Sequence, residues 1–516
     1  MKEIFLKISK YVFGTLFGAI FIFVLIELLG LTQGGLWNTI KNFGNTGNGR
    51  IVSEMKILRV VYPDEPVKLE PTLADPTTRQ RLSNIYEPLV RTDKNLKIKP
   101  SLAVNWGLLD DLTWEFRLRP NVKFQNGSNF NAEDVIASLE RAKSYEGSQL
   151  PGMMETINSI EIENDLTLKI TTKEPDPLLL QRLSMILIIP SELQNEEIKI
   201  PIGTGSYEFE SWDSGKKIVL KRFDGYWGKK AQFETVELHS KIDKFERVQM
   251  LFDDLVDLIV FVPYDGVATV KEEGFNVVTI PSLEVQFIVF NMQSVLMKDL
   301  NNREMVSFVI NQDDLITSVG GYARRVSQFV SGGIMGFNPK ILDHKYDMEK
   351  AKLLVEETKI KGKTVQFHLM QGLTVLGDYV KQKLGEVGVN VVVSYLDGVE
   401  LLKSMEAHKA DLYFLGFKSE MGDASEFLHS IVHSVGTYSY WGYENEYVDK
   451  LIDVSMTEMD DLSRRKDLQE AMKVLIEDDV FGVPLFEYET VYAFNNKLEV
   501  NPPIDGIIHF DELTIK

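Results

Sequence analysis

Residues 380–417 read VKQKLGEVGVNVVVSYLDGVELLKSMEAHKADLYFLGF, and their alternation of helical and strand patterns decides the predicted fold. The first pattern is a helix with its apolar side chains on one face, and Gly388 ends it. Three further elements follow, which are the β-branched strand 389–395, the helix 400–408 and the strand 411–417. Helices that alternate with apolar strands are typical of a mostly parallel α/β lobe.

The same alternation continues on both sides of this stretch. Residues 113–119 (TWEFRLR) alternate apolar and polar side chains, which predicts a half-buried strand, and residues 166–170 repeat the pattern. Asn131 has the position of a helix N-cap, with Glu133 and Asp134 in the first turn. Two late elements are predicted, an amphipathic helix at 463–478 and one or two strands within 483–494.

The composition bounds the size and the chemistry of the protein. A chain of 516 residues, 44% of them hydrophobic, is expected to form two or three structural units. The net charge of −20 argues against nucleic acid as a partner, because phosphate binding needs clustered Lys and Arg. The absence of cysteine excludes disulfides, thiolate metal sites, a cysteine nucleophile and a lipid-modified N-terminal cysteine.

The N-terminal segment predicts attachment to a membrane. Residues 11–31 (YVFGTLFGAIFIFVLIELLGL) are long and apolar enough to cross a bilayer as one helix, and Glu27 is their one charged side chain. Lys2, Lys7 and Lys10 precede this segment, so the positive-inside rule places the rest of the chain outside the cytoplasm. The alternative is a cleaved signal peptide, but no small-x-small cleavage site follows.

Residues 32–50 are predicted to be a flexible tether. They contain five glycines, several Asn and several Thr, and a coil of this length spans about 25 Å. Residues 1–50 are therefore expected to be an anchor and tether. The expected location is the cell membrane, with the binding domain on the extracytoplasmic side.

The motifs that mark common enzymes are absent from the sequence. It contains no Walker-type phosphate loop, no His-Glu-x-x-His and no Gly-x-Ser-x-Gly. Gly203 and Gly205 resemble the start of a dinucleotide fingerprint, but Glu208 stands where the third glycine is required. No catalytic residue and no cofactor are therefore predicted.

Glu426, His429 and His433 have the i, i+3, i+7 spacing of residues on one helix face. Two histidines four apart can chelate a metal, although exposed helix residues with ordinary hydrogen bonds have the same spacing. We expect no metal site. Residues 438–443 (YSYWGY) are dense in aromatic rings, and Tyr438, Tyr440 and Trp441 can either stack on a ligand or pack into the lobe.

Several segments, in the same order along the chain, carry a resemblance to a known family. They are IYEPLV at 85–90, PSLA at 100–103, Trp106, WEFRLR at 114–119, VKFQNG at 122–127, AEDV at 132–135, GTGSY at 203–207, YWG at 226–228, FN at 290–291, YD at 346–347 with Ala351 and Leu354, and GY at 442–443 before VD at 448–449. Together they resemble the bacterial extracellular solute-binding proteins of family 5, which serve peptide and nickel importers of the ATP-binding-cassette (ABC) class.

The resemblance implies a two-lobed α/β fold of the periplasmic-binding-protein type, in its large peptide-binding class, which closes on a ligand by a hinge motion. Lobe I is expected at 51–283, with an inserted subdomain near 80–199, and is completed by 486–516. Lobe II is expected at 284–485. Gly203 and Gly205 lie near the predicted lobe boundary, where a hinge, a closely approached backbone or an ordinary tight turn needs glycine.

The family's ligand-anchoring acid lies in a Trp-x-Ala-Asp-Tyr-type stretch, which corresponds to residues 417–423 (FKSEMGD). Glu420 falls at the position of the acid, Phe417 replaces the Trp, and Met421 replaces the Tyr. The resemblance therefore implies that Glu420 binds the ligand, with Phe417 beside it and Asp423 as the alternative acid. Ligands of α/β proteins favour the carboxyl ends of strands, which agrees with this position.

The resemblance also implies a function. The chain is expected to be a monomeric binding component that delivers a peptide to ABC permease subunits on other chains. A sensor or chaperone with the same fold, or a hydrolase that uses the same cleft, is the alternative. The ligand itself can also be a nickel chelate, an oligosaccharide or another cationic small molecule.

Overall fold

The computed structural model describes residues 56–343 and 345–516. The predicted membrane helix at 11–31 and the predicted tether at 32–50 lie outside these residues. Within the described part of the chain, no helix is long and apolar enough to span a bilayer.

Nineteen strands and thirteen α-helices are described in residues 56–516. The strands are β1 (Ile57–Tyr62), β2 (Val90–Thr92), β3 (Ile98–Pro100), β4 (Ala103–Leu108), β5 (Thr113–Leu118), β6 (Ile157–Asn164), β7 (Thr167–Thr172), β8 (Tyr207–Asp213), β9 (Lys217–Arg222), β10 (Thr235–Ser240), β11 (Leu258–Val260), β12 (Asn276–Phe290), β13 (Ala323–Arg324), β14 (Thr364–Met370), β15 (Asn390–Leu396), β16 (Leu412–Lys418), β17 (Gly482–Phe494), β18 (Leu498–Glu499) and β19 (Thr514–Ile515). The helices are α1 (Pro76–Leu82), α2 (Ala132–Ser144), α3 (Leu179–Ser184), α4 (Lys244–Phe252), α5 (Val267–Glu272), α6 (Leu300–Phe308), α7 (Gln312–Ser318), α8 (Met348–Thr358), α9 (Thr374–Glu386), α10 (Gly398–Glu406), α11 (Ser425–Phe427), α12 (Glu446–Thr457) and α13 (Asp461–Lys473).

The described chain divides into two compact units. The first unit comprises residues 56–280 and 490–516, and the second unit comprises residues 281–489. Both boundaries fall inside strands, one in β12 and the other in β17. The predicted lobe limits, 283/284 and 485/486, lie a few residues from these boundaries.

The first unit contains a mixed sheet in the order β11-β1-β10-β9-β8. The strand β1 is parallel to both β10 and β11, whereas β9 runs antiparallel to both β10 and β8. Residues 492–494 of β17 pair with β11, so the C-terminal part of the chain completes this sheet. Buried side chains such as Tyr62, Tyr207 and Phe494 fill one core around it.

A separate antiparallel sheet, in the order β4-β5-β7-β6, covers a second core of the first unit. The helix α2 packs its buried face into this core, and its N-terminus is capped as predicted. The Asn131 side chain accepts the N–H of Glu133 at 2.7 Å, and the Asp134 carboxylate accepts the N–H of Asn131 at 2.9 Å. This reciprocal capping box satisfies two backbone donors at the helix start.

The second unit contains the elements predicted from residues 380–417. The helix α9, the strand β15, the helix α10 and the strand β16 follow in the expected order, and Gly388, with φ 85°, stands after α9. The strands β15, β14 and β16 are parallel, but β12 pairs antiparallel with β16. The sheet is therefore mixed, and the prediction of a mostly parallel lobe is correct only for these three strands.

Candidate ligand-binding site

Glu420 lies two residues beyond the carboxyl end of β16, in the loop that follows this strand. Its side chain is half-buried. Among residues 56–343 and 345–516, no cationic side chain lies within ion-pair distance of its carboxylate, and no donor hydrogen-bonds to it. Glu420 therefore presents a carboxylate that has free hydrogen-bonding capacity.

The loop that carries Glu420 is held by a buried ion pair. Arg464 donates from both terminal nitrogens to the carboxylate of Asp423, with 2.9 Å between Nη2 and Oδ1. The same Asp423 oxygen accepts the N–H and the hydroxyl of Ser425 at 2.9 and 2.7 Å. The Asp423 side chain is 1% exposed and Arg464 is 2% exposed. Asp423 is thus fully occupied inside the protein, and this geometry favours a structural role over the ligand contact expected as an alternative.

Two backbone contacts complete the attachment of this loop. Met335 donates its N–H to the carbonyl of Gly422 at 3.0 Å, and its own carbonyl accepts the N–H of Ala424 at 2.9 Å. The Glu426 carboxylate accepts the N–H of Met421, also at 2.9 Å. On the other side of Glu420, the Ser419 N–H donates to the Leu283 carbonyl at 3.2 Å, so Glu420 is carried on a backbone that is fixed on both sides.

Two buried polar residues, Glu284 and Gln286 of β12, lie on the sheet face beside the end of β16. Glu284 is paired with Lys418 and Gln286 with Gly416 in the strand register. Gln286 Nε2 donates to Glu284 Oε1 at 2.8 Å. Burial raises the pKa of the Glu284 carboxyl to about 7, and the negative charge of Glu420 adds to this rise.

Glu487 of β17 is a further buried acid in this region, and it is fully paired. Its carboxylate accepts Arg324 Nε at 2.6 Å, the hydroxyl of Ser331, and the N–H of Leu283 at 2.8 Å. Sequence reasoning missed Glu284, Gln286 and Glu487. The alternation of apolar and polar residues in β12 would even have predicted that Glu284 and Gln286 face solvent.

Phe417 lies on the opposite face of β16 from Lys418, because successive side chains of a strand point to opposite faces. Its ring packs edge-on against Phe427 at 5.4 Å. Phe427 in turn packs against Phe329 and Phe287. The structure thus gives Phe417 a place at the margin of an aromatic core, and not on the face of Glu284.

The aromatic stretch 438–443 packs into the second unit at the other end of β16. Trp441 is buried, donates its indole N–H to the Ile431 carbonyl at 3.0 Å, and contacts the ring of Tyr413 at 5.8 Å. Tyr438 is also buried, and the Tyr440 carbonyl lies 2.9 Å from His408 Nδ1. Glu420 lies seven residues after Tyr413, and a stretch of this length along a strand spans about 20 Å. The expectation that these rings line a site with Glu420 is not supported by this geometry.

Glu426, His429 and His433 do not lie on one regular helix, although the rings of His429 and His433 are neighbours, with 5.8 Å between their centroids. The helix α11 ends at Phe427 and continues as a π-helical turn over Leu428–Val432, so His433 lies beyond the helix. His433 is buried with Nε2 3.1 Å from Asp453 Oδ1. No group of metal-binding side chains is found among the described residues.

Gly203 and Gly205 lie within the first unit, away from both chain crossings at 280/281 and 489/490. A Cβ at Gly203 would lie 2.1 Å from the carbonyl oxygen of Ile85, and one at Gly205 would lie 2.5 Å from that of Asn84. Gly205 also donates its N–H to Ile85 at 2.8 Å. Both glycines are therefore required by close backbone packing, which agrees with the expectation of a closely approached backbone and gives no support to a hinge.

Three of the sequence segments that carry the resemblance meet at Glu87. Its half-buried carboxylate accepts hydrogen bonds from Thr204 Oγ1 and Trp227 Nε1, both at 2.8 Å, and from Tyr226 Oη at 3.1 Å. Burial raises the pKa of this carboxyl to about 7. The segments 85–90, 203–207 and 226–228 therefore form one packed structure within the first unit.

Residues 97–439 match the family model described as bacterial extracellular solute-binding proteins, family 5. The chain belongs to this family. The match covers more than half of the chain, so the resemblance based on short segments is confirmed. Solved structures of periplasmic binding proteins superpose on this family 5 protein. The superposition shows that it has their two-lobed, mixed α/β fold.

Two curated relatives and two solved structures illustrate the similarity. A dipeptide-binding protein of Escherichia coli is 24% identical over 467 residues, covering 81% of this chain and 86% of the relative. The glutathione-binding protein GsiB of Salmonella typhimurium is 24% identical, covering 83% and 88%. HbpA2 of Haemophilus parasuis superposes with a TM-score of 0.82, 20% identity and coverage of 89% and 100%. DppA of Helicobacter pylori, in complex with the peptide STSA, superposes with a TM-score of 0.72, 22% identity and coverage of 89% and 98%.

Proposed function

We propose that this family 5 protein is the extracytoplasmic substrate-binding component of an ABC-type importer and that its substrate is a peptide. The family membership supports the importer role, and the relatives named for a dipeptide and for glutathione support the ligand class. The protein binds and releases its ligand without changing it, and permease subunits on other chains receive it.

The observation that carries the proposal is the unpaired carboxylate of Glu420 at the end of β16. A peptide arrives with a protonated amino terminus, and burying this cation without a partner costs several kcal/mol or more. Glu420 supplies the partner, on a loop that the Asp423–Arg464 pair holds in place. A preorganised acid is useful here, because little conformational freedom is lost when the ligand binds.

The test is a four-way comparison by titration calorimetry with trialanine and N-acetyl-trialanine. Glu420→Gln is expected to weaken binding of trialanine by roughly 10- to 1000-fold, since truncating a buried charge-assisted contact strands the partner charge. Glu420→Asp should bind better than Glu420→Gln. Acetylation of the peptide amino terminus should weaken binding to the wild type by a factor similar to that of Glu420→Gln. It should weaken binding to Glu420→Gln little further, as expected for a coupled pair.

The exposed acid Glu444 provides a matched control in the same unit, and Glu444→Gln should bind trialanine as the wild type does. Additive losses from acetylation and Glu420→Gln would show that Glu420 does not contact the amino terminus. If neither the wild type nor Glu444→Gln binds any short peptide, the ligand class itself is refuted.

The proposal includes an N-terminal anchor at residues 11–31 and a tether at 32–50, supported by the apolar run and the lysines before it. A helix of this length gives effectively irreversible insertion into a bilayer. We expect the full-length protein to remain in the membrane fraction after carbonate extraction. External protease should remove the domain beyond residue 50. A mature N-terminus between residues 27 and 50 in secreted protein would contradict the anchor.

A further inference from the structure

Three buried side chains of the second unit, Glu284, Gln286 and Ser419, have atoms without any hydrogen-bond partner. These atoms are Glu284 Oε2, Gln286 Oε1 and Ser419 Oγ, and each side chain belongs to a residue that is 1% exposed. All three atoms can accept hydrogen bonds. Each buried acceptor left unsatisfied costs about 1–3 kcal/mol, so the two that lie together on one sheet face, Glu284 Oε2 and Gln286 Oε1, indicate a missing donor.

The Glu284 and Gln286 side chains point to the same place, above Gly416. A Cβ at Gly416 would lie 2.4 Å from Glu284 Oε1 and 2.9 Å from Gln286 Oε1. Lys418 follows two residues later on the same face, and Glu420 comes directly after Ser419. The unpartnered acceptors of Glu284 and Gln286 therefore lie beside the end of β16 that leads to the proposed anchoring acid.

The backbone that carries Glu284 is strained. Leu283 has φ 63°, in the left-handed region that a branched side chain rarely adopts. Its N–H donates to Glu487 at 2.8 Å, and its carbonyl accepts the N–H of Ser419 at 3.2 Å. Strain of this kind costs about 1–3 kcal/mol and clusters at ligand-binding positions, where it fixes a side chain that ordinary backbone would misplace.

The charges around Glu284 do not balance. Glu420 and Glu487 act on the Glu284 carboxyl as negative charges, and Lys418 is the cation that acts on it. Arg324 is committed to Glu487. Among residues 56–343 and 345–516, Glu284 has no cation within ion-pair distance, and Lys418 forms no ion pair.

A metal ion does not account for this imbalance, because no cluster of metal-binding side chains exists in the described part of the chain. An organic cation fits better. An ammonium or guanidinium group has three or more N–H donors, enough to reach the free acceptors of both Glu284 and Gln286. It also supplies the positive charge that a buried carboxylate requires.

We propose that Glu284 and Gln286 form a second cation subsite beside Glu420, which makes the protein select peptides with a basic side chain next to a free amino terminus. This inference rests on the proposed function and specifies its substrate class. Glu284 is the specificity-determining residue, and Gln286 orients it through their hydrogen bond.

The subsite is expected to work in a pH-dependent way. Burial, together with Glu420 and Glu487, raises the pKa of Glu284 to about 7, whereas Gln286 and Lys418 oppose this rise. Glu284 is therefore neutral below that pH and charged above it. A basic ligand side chain favours the charged form, so its binding at pH 7 should release about half a proton.

The test uses two matched peptides, Lys-Ala-Ala and norleucine-Ala-Ala, which differ in one charge and little in shape. Calorimetry on the full-length protein at pH 8 should give about tenfold tighter binding of the lysine peptide in wild type. In the wild type at pH 6, the preference for the lysine peptide should fall below about threefold. In Glu284→Gln the preference should be below about threefold at both pH 6 and pH 8. Glu284→Gln should still bind the norleucine peptide, which also shows that it is folded.

A second measurement needs no variant. Titrations of wild type at pH 7, in two buffers of different ionisation enthalpy, should show that the lysine peptide releases more protons than the norleucine peptide. Equal affinities at pH 8, equal proton release, or a preference that survives in Glu284→Gln would each overturn the subsite. Binding of neither peptide would instead overturn the peptide-binding function on which the subsite rests.

Discussion

The buried pair between Asp423 and Arg464 is predicted to stabilise the second unit and to hold the loop of Glu420. Arg464 makes two contacts to Asp423, a third to Ser425 Oγ at 3.1 Å, and a fourth from Nε to the Ser455 carbonyl at 2.8 Å. Both members of the pair are almost completely buried. Removing either partner therefore leaves an uncompensated charge inside the protein.

The expected cost follows from this burial. Breaking a buried ion pair from one side typically costs about 3–5 kcal/mol, far more than the 0–1 kcal/mol of an exposed pair. Arg464→Met and Asp423→Asn should each lower the free energy of unfolding by about this amount. Arg465, the next residue, is exposed, so Arg465→Met is a matched control that should change stability by less than about 0.5 kcal/mol.

Urea denaturation followed by circular dichroism measures the unfolding free energies of the wild type, the two single variants, the control and the double variant. The double variant should lose less than the sum of the single losses, by about 0.5–3 kcal/mol, because each single variant strands the other partner. Additive losses, or a cost for Arg464→Met no larger than for Arg465→Met, would refute the pairing described here.

Two further predictions concern packing and pH. Gly203→Ala should destabilise the protein by about 2 kcal/mol or more, because the added Cβ would meet the Ile85 carbonyl. Gly107→Ala is the control, since open space surrounds Gly107, and it should leave the stability nearly unchanged. Thermal unfolding measures both variants. Glu284 holds its proton more tightly in the folded state than in the unfolded state, where its pKa is near 4.5. The contribution of Glu284 to the free energy of unfolding is therefore largest below about pH 4.5. This contribution, up to about 3 kcal/mol, is lost as the pH rises through about 7. The free energy of unfolding of the wild type, measured from pH 4 to 8, should fall with rising pH, and this dependence should be absent in Glu284→Gln. An unchanged pH dependence in the variant would show that Glu284 does not titrate in this range.

One residue of the candidate site, Glu420, could be located from the sequence, because the strand β16 and the resemblance around residues 417–423 are local patterns. Glu420 was selected in this way, and its position just beyond β16 is as expected. Asp423 could not be assigned from the same stretch. Its partner Arg464 is 41 residues away, and only folding brings the two together.

The aromatic stretch and the histidines show a second limit. Trp441 is buried against Tyr413, at the start of β16, although its sequence is equally compatible with a ligand-lining loop. His433 has helical spacing from His429, but a π-helical turn intervenes and the helix ends at Val432. Spacing alone does not reveal a change of helix type, because the same residues can form either turn.

The sequence by itself determined the elements and the family. The cap at Asn131, the helix end at Gly388 and the alternation of α9, β15, α10 and β16 depend on contacts between near neighbours, which a local pattern expresses directly. The sequence also identifies the family, because the matching segments are short and contiguous.

Only the tertiary structure decided which polar residues are buried. Glu284 and Gln286 occupy alternate positions of β12, which a strand pattern assigns to the solvent face, yet both are 1% exposed. Their burial depends on what covers that face, and no property of the strand itself encodes it. For the same reason, the unpaired acceptors above Gly416 and the net charge around them exist only once β12, β16 and β17 are assembled.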